Sequence, residues 1–272
     1  MSAGWQDKIN DKFSYSLNAN FTYNKNEMNN ISAAGASYYD CPYSDTPTIT
    51  RTAKGHSIGE FFGYKAIGVF QNAEDIAAYP HLLGTIPGDL IFKDMNGDKN
   101  LDAADRTYLG NPNPPFIYGF NIGFKYENLD FNMFCQGVAG NKIFNANRML
   151  RYQTENYDLN FYNNRWHGEG TSNSYPSAVM SNPTTPNSFY VESGSYFRLK
   201  TIQLGYTLPF STIKALGVQK ARLYVNAENP LTIFGYNGYS PEVSSSTILM
   251  SGADRGVYPL SSIYCFGVNL VF

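Results

Sequence analysis

The sequence predicts an all-β fold, an antiparallel transmembrane β-barrel segment that supplies the C-terminal strands of a larger barrel. Three observations carry this. Long stretches alternate apolar and polar residues at period two, the signature of a sheet with one greasy and one polar face. Short and long connections between those stretches alternate strictly. Aromatic residues make up 16% and charged residues only 15%, against roughly 25% charged in soluble domains. Mean hydropathy is nonetheless −0.34. Such a chain suits strands that show aromatics to lipid and Ser, Asn and Gly to a wet interior.

The elements follow in order. From Phe13 the odd positions Phe13, Tyr15, Leu17, Ala19, Phe21 and Tyr23 are apolar, and the intervening Ser14, Ser16, Asn18, Asn20 and Thr22 are polar. The run from Phe116 sets Phe116, Tyr118, Phe120, Ile122, Phe124 and Tyr126 against Ile117, Gly119, Asn121, Gly123 and Lys125. Leu129, Phe131, Met133 and Cys135 alternate with Asp130, Asn132, Phe134 and Gln136. Further runs centre on Ile202, Leu204 and Tyr206, on Leu223 and Val225, and on Tyr264, Phe266, Val268, Leu270 and Phe272. This predicts strands over 13–24, 115–126, 128–137, 195–208, 218–229 and 261–272. Several reach the ~9–11 residues that a membrane-spanning strand needs. Residues 126–129 and 209–219 form short connections, whereas those near 26–113, 138–193 and 231–260 are long and rich in Gly, Asn, Ser, Pro and Tyr. Barrels of the outer membrane have short periplasmic turns and long extracellular loops. If the last strand descends to the periplasm, every long loop falls outside the cell. Gly4-Trp5-Gln6-Asp7-Lys8 reads as a periplasmic turn. Phe61–Phe70 is either an extra strand pair with residues near Ile49 or a ribbon inside the first long loop. These strands alone leave two open edges, so the chain is expected to be a piece of a larger barrel.

Composition also excludes. A net charge of −2 offers no broad attraction to nucleic acid. No apolar run is long enough for a membrane-spanning helix. The N-terminus lacks the pattern of a signal peptide, so an export signal is expected upstream. Cys41, Cys135 and Cys265 follow no metal or redox spacing.

Several motifs together resemble the SusC/RagA-type TonB-dependent transporters of Bacteroidota. They are Gly59-Glu60-Phe61-Phe62-Gly63-Tyr64, Pro87-Gly88-Asp89 through Asp98, Asp105-Arg106-Thr107 and Gly110-Asn111-Pro112-Asn113-Pro114. Phe134-Cys135-Gln136-Gly137 with Gly140-Asn141, and Tyr196-Phe197-Arg198-Leu199-Lys200 running into Leu204-Gly205-Tyr206-Thr207-Leu208-Pro209, continue the series. Asn229-Pro230-Leu231-Thr232, Gly238-Tyr239-Ser240-Pro241-Glu242 and Phe266-Gly267-Val268-Asn269-Leu270-Val271-Phe272 complete it. The resemblance implies an outer-membrane barrel of 22 strands with an N-terminal plug, powered through TonB. It implies import of oligosaccharides, or of peptides, with a SusD-like surface lipoprotein as lid. The plug, the TonB-contacting segment and the N-terminal strands are absent from this chain, whose residues 1–272 would supply only the C-terminal portion of the barrel.

Candidate sites follow. Asp94, Asn96, Asp98, Asn100, Asp102 and Asp105 stand at places 1, 3, 5, 7, 9 and 12 of a loop, the ligand spacing of EF-hand calcium loops. Lys99 occupies the sixth place, where such loops want Gly. A structural Ca²⁺ that stiffens the loop is expected, and no organic cofactor. Tyr152, Tyr157, Tyr162 and Trp166 share one loop and are candidates for stacking on sugar or meeting the lipoprotein. Asn18, Asn20, Asn121 and Gln136 are expected to face the lumen. Phe272 after its alternating strand is the expected signal for the barrel-assembly machinery. His56, His81 and His167 are scattered, and Glu155, Asp158 and Glu169 show no fixed spacing for acid–base work, so no enzyme is expected. The alternative is a secreted, calcium-stabilised β-sandwich that binds carbohydrate.

Overall fold

The computed structural model describes residues 1–31, 35–41, 47–151, 155–243, 245 and 247–272. Its dominant element is one seven-stranded antiparallel sheet. We label its strands β1 (Ser2–Asn10), β2 (Phe13–Tyr23), β3 (Phe116–Tyr126), β4 (Leu129–Ala139), β5 (Tyr196–Thr207), β6 (Lys220–Phe234) and β7 (Ile263–Val271). Each pairs only with its neighbours in this series, an up-and-down meander. Lengths run from 9 residues in β1 and β7 to 15 in β6, enough to cross a bilayer.

Register fixes the faces, because residues opposite each other in an antiparallel ladder share a side. Leu17 lies opposite Ile122, which lies opposite Met133, on the apolar side. Ser16 lies opposite Gly123, which lies opposite Asn132, and Asn132 lies opposite Gln203 and then Asn226, on the polar side. The alternation read from sequence is therefore one continuous pair of faces. Among the described residues no second sheet covers the apolar side: Trp5 is 62% exposed and Phe266 71%. The β-sandwich alternative fails on this point, since a sandwich buries the inner faces of both sheets.

Two sequence expectations need correction, and one open alternative is resolved. Gly4–Lys8 is not a turn but the middle of β1, with Trp5 opposite Leu17 and Asp7 opposite Tyr15. Asp7 interrupts its apolar row with a charge, which hid the period. The turn lies one step later, where the Asn10 side chain accepts hydrogen bonds from the N–H groups of Lys12 and Phe13, both at 2.9 Å. Second, β6 continues past 229 to Phe234. Asn229-Pro230 reads as a strand end, yet here it forms a bulge against Lys200, a place where a strand tolerates proline. The stretch at 61–70, open between two readings, pairs with Thr50 beside Ile49 within the first long connection and adds no strand to the main sheet. Glu60–Gly63 joins a separate four-stranded sheet with Tyr38–Cys41, Thr50–Ala53 and Thr107–Gly110, and Ala66–Val69 pairs with Leu90–Phe92.

Short connections gather at one end of the sheet and long ones at the other. At the short end Glu127 takes a left-handed φ of 50° in the turn between β3 and β4. Its N–H donates to the carbonyl of Lys12 at 2.7 Å, and its carboxylate meets the Lys12 ammonium. The link from β5 to β6 is a short helical turn that tucks Ile213 and Val218 against Ala221 and Leu208. At the other end the long connections build a crown with its own core. Ile49, Phe61, Phe144, Met149, Tyr190 and Met250 form one buried cluster. Tyr64, Val69, Leu90, Phe92 and Leu101 form another.

Candidate functional site

Two regions carry polar chemistry: the polar face of the sheet, and the crown above it.

On the sheet, the four amides singled out from sequence do come together. Asn18 lies opposite Asn121, and Gly119 lies between Asn20 and Gln136. Gln6, Asn132, Gln203 and Asn226 extend the same polar face. This gives a wall of side chains that both donate and accept hydrogen bonds. Two of its charges pair across a strand. Arg222 spans β5 to reach Asp130 on β4, with Nε at 2.9 Å and Nη2 at 2.5 Å from the two carboxylate oxygens. Glycine at 205 is required by that path: a Cβ there would sit 2.2 Å from Nη2 of Arg222. Sequence placed Asp130 and Arg222 on polar faces but gave no register to join them.

A further bulge, at Lys200 where β5 pairs with β4, has a consequence. It keeps Arg198 on the polar face opposite Gln136 although Thr201 shares that face. Arg198 is 1% exposed. Its guanidinium donates to Thr232 Oγ1 at 3.0 Å and to the Glu242 carboxylate. The Tyr196 hydroxyl donates to the other Glu242 oxygen at 2.6 Å. Burial alone would raise the Glu242 carboxyl, but Arg198 and Tyr196 outweigh it and hold the group below its ordinary value. The connection between β6 and β7 is thereby tied down onto the wall. These two ion pairs were not foreseen as a site.

In the crown, the aromatic candidates separate. Trp166 packs against the cluster around Tyr64, its indole N–H donates to Gln71 at 3.1 Å, and its ring fills the space where a Cβ on Gly88 would stand. It is structural. Tyr157 stacks on Phe161 at 3.8 Å between centroids and carries the Arg151 guanidinium against its ring. Tyr162 is 57% exposed with Arg165 over its ring. Tyr152 lies outside the described residues. The carboxylates are committed separately: Asp158 to Arg148 at 2.8 Å and Glu169 to Asn72 at 2.8 Å. His56 stacks on Tyr108 and contacts Glu60.

The loop from Asp94 to Asp105 is closed by its own backbone. Asp94 accepts from the N–H groups of Gly97 at 2.6 Å and Lys99 at 2.9 Å. Lys99 takes a left-handed φ of 65°, so the sixth place adopts the glycine-like turn despite its side chain. Asp105 is fully buried and accepts from Met95 at 2.8 Å and Asp102 at 2.9 Å. Burial would raise its carboxyl, but the N–H groups around it prevail and hold it below the usual carboxylate range. Among the described residues no three His, Cys, Asp or Glu side chains converge on one point.

No family model matches the chain. Its sequence is 34% identical to TonB-dependent receptor P3 of Formosa agariphila over 276 residues, covering 97% of the chain and 27% of that protein. It is 29% identical to receptor P26 of the same organism, covering 99% of the chain and 29% of that protein. Against TonB-dependent receptor SusC of Bacteroides thetaiotaomicron the identity is 22%, over 97% of the chain and 25% of that protein. Two structures of RagAB share its fold. The peptide importer in its open–open state gives a TM-score of 0.72 at 22% identity, over 100% of the chain and 28% of that chain. The RagAB peptide transporter gives 0.74 at 21% identity, over 99% and 28%. The chain thus spans little more than a quarter of these proteins, and its sheet is a segment of a β-barrel wall.

Proposed function

We propose, from the premise that the chain is of the SusC/RagA type of TonB-dependent receptor, that it forms wall and surface loops of an outer-membrane importer. One observation carries the reading. A single antiparallel sheet leaves an apolar face open on one side and an amide-rich face on the other, with every long connection at one end. A lipid boundary satisfies the first face, and a wet lumen the second. Asn18, Asn20, Asn121 and Gln136 then line the path of an oligosaccharide or peptide. TonB drives transport through a plug that belongs to another part of the receptor. A SusD-like lipoprotein covers the crown, and Phe272 is read by the barrel-assembly machinery.

The test is uptake. Deleting the gene in its host should abolish growth on the oligosaccharide or peptide mixture that induces it, and blocking TonB should do the same. Undiminished uptake after either would remove the import reading.

The Asp94–Asp105 loop supports a second assignment, a structural calcium ion. Its alternate oxygen-bearing residues and the left-handed Lys99 favour it. Calcium should raise the melting temperature of the receptor, and Asp98→Ala should remove the rise. A melting temperature indifferent to calcium and chelator would dismiss the ion.

A further inference from the structure

The crown holds a polar cavity of about 460 Å³ between the segment around Arg148 and the segment around Tyr239. That is within the roughly 300–1,000 Å³ of small-molecule sites. Its floor is fixed. Asn145 accepts from the Arg148 N–H at 3.0 Å and donates to Glu192 at 2.9 Å. Arg148, 8% exposed, is held by Asp158. Asn237 donates to the second Glu192 oxygen twice, at 2.8 Å each. Behind it, Tyr236 donates to buried Asp254 at 2.6 Å. Two connections that are remote in sequence are therefore locked together beneath the cavity, and the floor is ready before any ligand arrives.

The rim differs. Asn147 and Asn156 line the cavity, are exposed, and their side chains meet no hydrogen-bond partner among the described residues. Tyr239 stands beside them, 72% exposed. The charged lining is balanced, with Arg148 and Arg151 against Glu155 and Asp158. A charged ligand gains nothing from such a lining. A neutral ligand with many hydroxyls gains a good deal, because amides offer both donor and acceptor and a tyrosine ring offers a flat apolar face with a polar edge.

We infer that this cavity is a binding subsite for a neutral oligosaccharide, with Tyr239 as the stacking platform and Asn147 and Asn156 as hydroxyl readers. The inference rests on the import reading and makes it specific to a substrate class and a place.

The test uses the intact receptor in detergent, titrated calorimetrically with neutral linear hexaoses (α-1,4-glucan, β-1,3-glucan and β-1,4-xylan) and with uncharged pentapeptides. At least one hexaose should bind. Tyr239→Ala and Asn147→Ala should each weaken it about tenfold, the loss of roughly one good polar or stacking contact. Leu83→Ala, also on the surface but outside the cavity, should leave it unchanged. Both cavity positions are exposed, so the variants should melt with the parent. A melt that falls sends the measurement to Tyr239→Phe, which keeps the ring and should bind like the parent, and to Asn147→Asp, which loses the amide donor and should weaken binding. Binding of no hexaose, equal binding by all variants, or peptide binding that these variants weaken would each overturn the inference. Binding in detergent needs no TonB, so this result fails or succeeds independently of uptake.

Discussion

The crown and the wall are built from the same aromatic-rich chain but bury it in opposite ways. In the crown, Phe61, Phe144 and Phe161 are 0% exposed, and they pack against other protein as any soluble core does. In the wall, Tyr264 and Phe266 are each 71% exposed, and no protein touches much of them. Water would penalise such a face by roughly 25 cal/mol for each Å² shown. The difference teaches that the wall's apolar side is designed for another solvent. It also explains why hydropathy is negative overall: half of each wall strand is polar, and the crown is mostly loop.

The sharpest way to break the comparison is to cut one aromatic from the crown. Phe144→Ala should destabilise it by about 3–5 kcal/mol, since Phe61 and Tyr190 close around the ring and leave a cavity. Denaturant melts of the crown signal would check this. A smaller value, indistinguishable from that of an exposed position, would mean that the crown has no true core.

Next is a charge on the wall. Ile122 lies at mid-strand between Leu17 and Met133. Ile122→Arg should destabilise the folded barrel in bilayers by about 2–4 kcal/mol. Its sequence neighbour Asn121→Arg, facing the amides, should change stability by much less. Equal effects would mean that the two faces do not see different solvents.

The smallest effect belongs to the crown loop. Asp105→Ala strands the N–H groups of Met95 and Asp102, with an expected loss of about 1–3 kcal/mol. The same contact makes the loop sensitive to acid. The Asp105 carboxyl is held below its ordinary value. Its contribution is therefore present above the unfolded carboxylate value, near pH 4, and is lost as pH falls through the lower folded value. Amide exchange across 94–105 should quicken only in that acidic window and not at neutral pH.

How much of this was legible in the sequence follows from which signals are local. Period two is local, so β2, β3, β4, β5 and β7 were readable residue by residue, and parity put Asn18, Asn20, Asn121 and Gln136 on one shared face. β1 escaped because Asp7 sits in its apolar row opposite Tyr15. The end of β6 escaped because Asn229-Pro230 has the chemistry of a turn and the geometry of a bulge. Register is not local. Nothing in the chain order says that Arg222 reaches Asp130, that Arg198 holds Glu242, or that Asn145 and Asn237 share Glu192. The crown cavity is floored by the last of these, Asn145 and Asn237 on Glu192, which is why sequence pointed to Trp166 and not to Tyr239. Aromatic richness in a loop does not distinguish a ring that packs on Gly88 from one left open.

The central claim is that the sheet separates lipid from water, and a nitroxide scan along Phe116–Tyr126 tests it most directly. With Cys41, Cys135 and Cys265 replaced, a label is placed at each position in turn in reconstituted bilayers. Collision rates with oxygen and with a polar nickel chelate are then measured. Positions 116, 118, 120, 122 and 124 should favour oxygen, and positions 117, 119, 121 and 123 should favour the chelate, in strict alternation. A flat profile, or one in the opposite phase, would contradict the account.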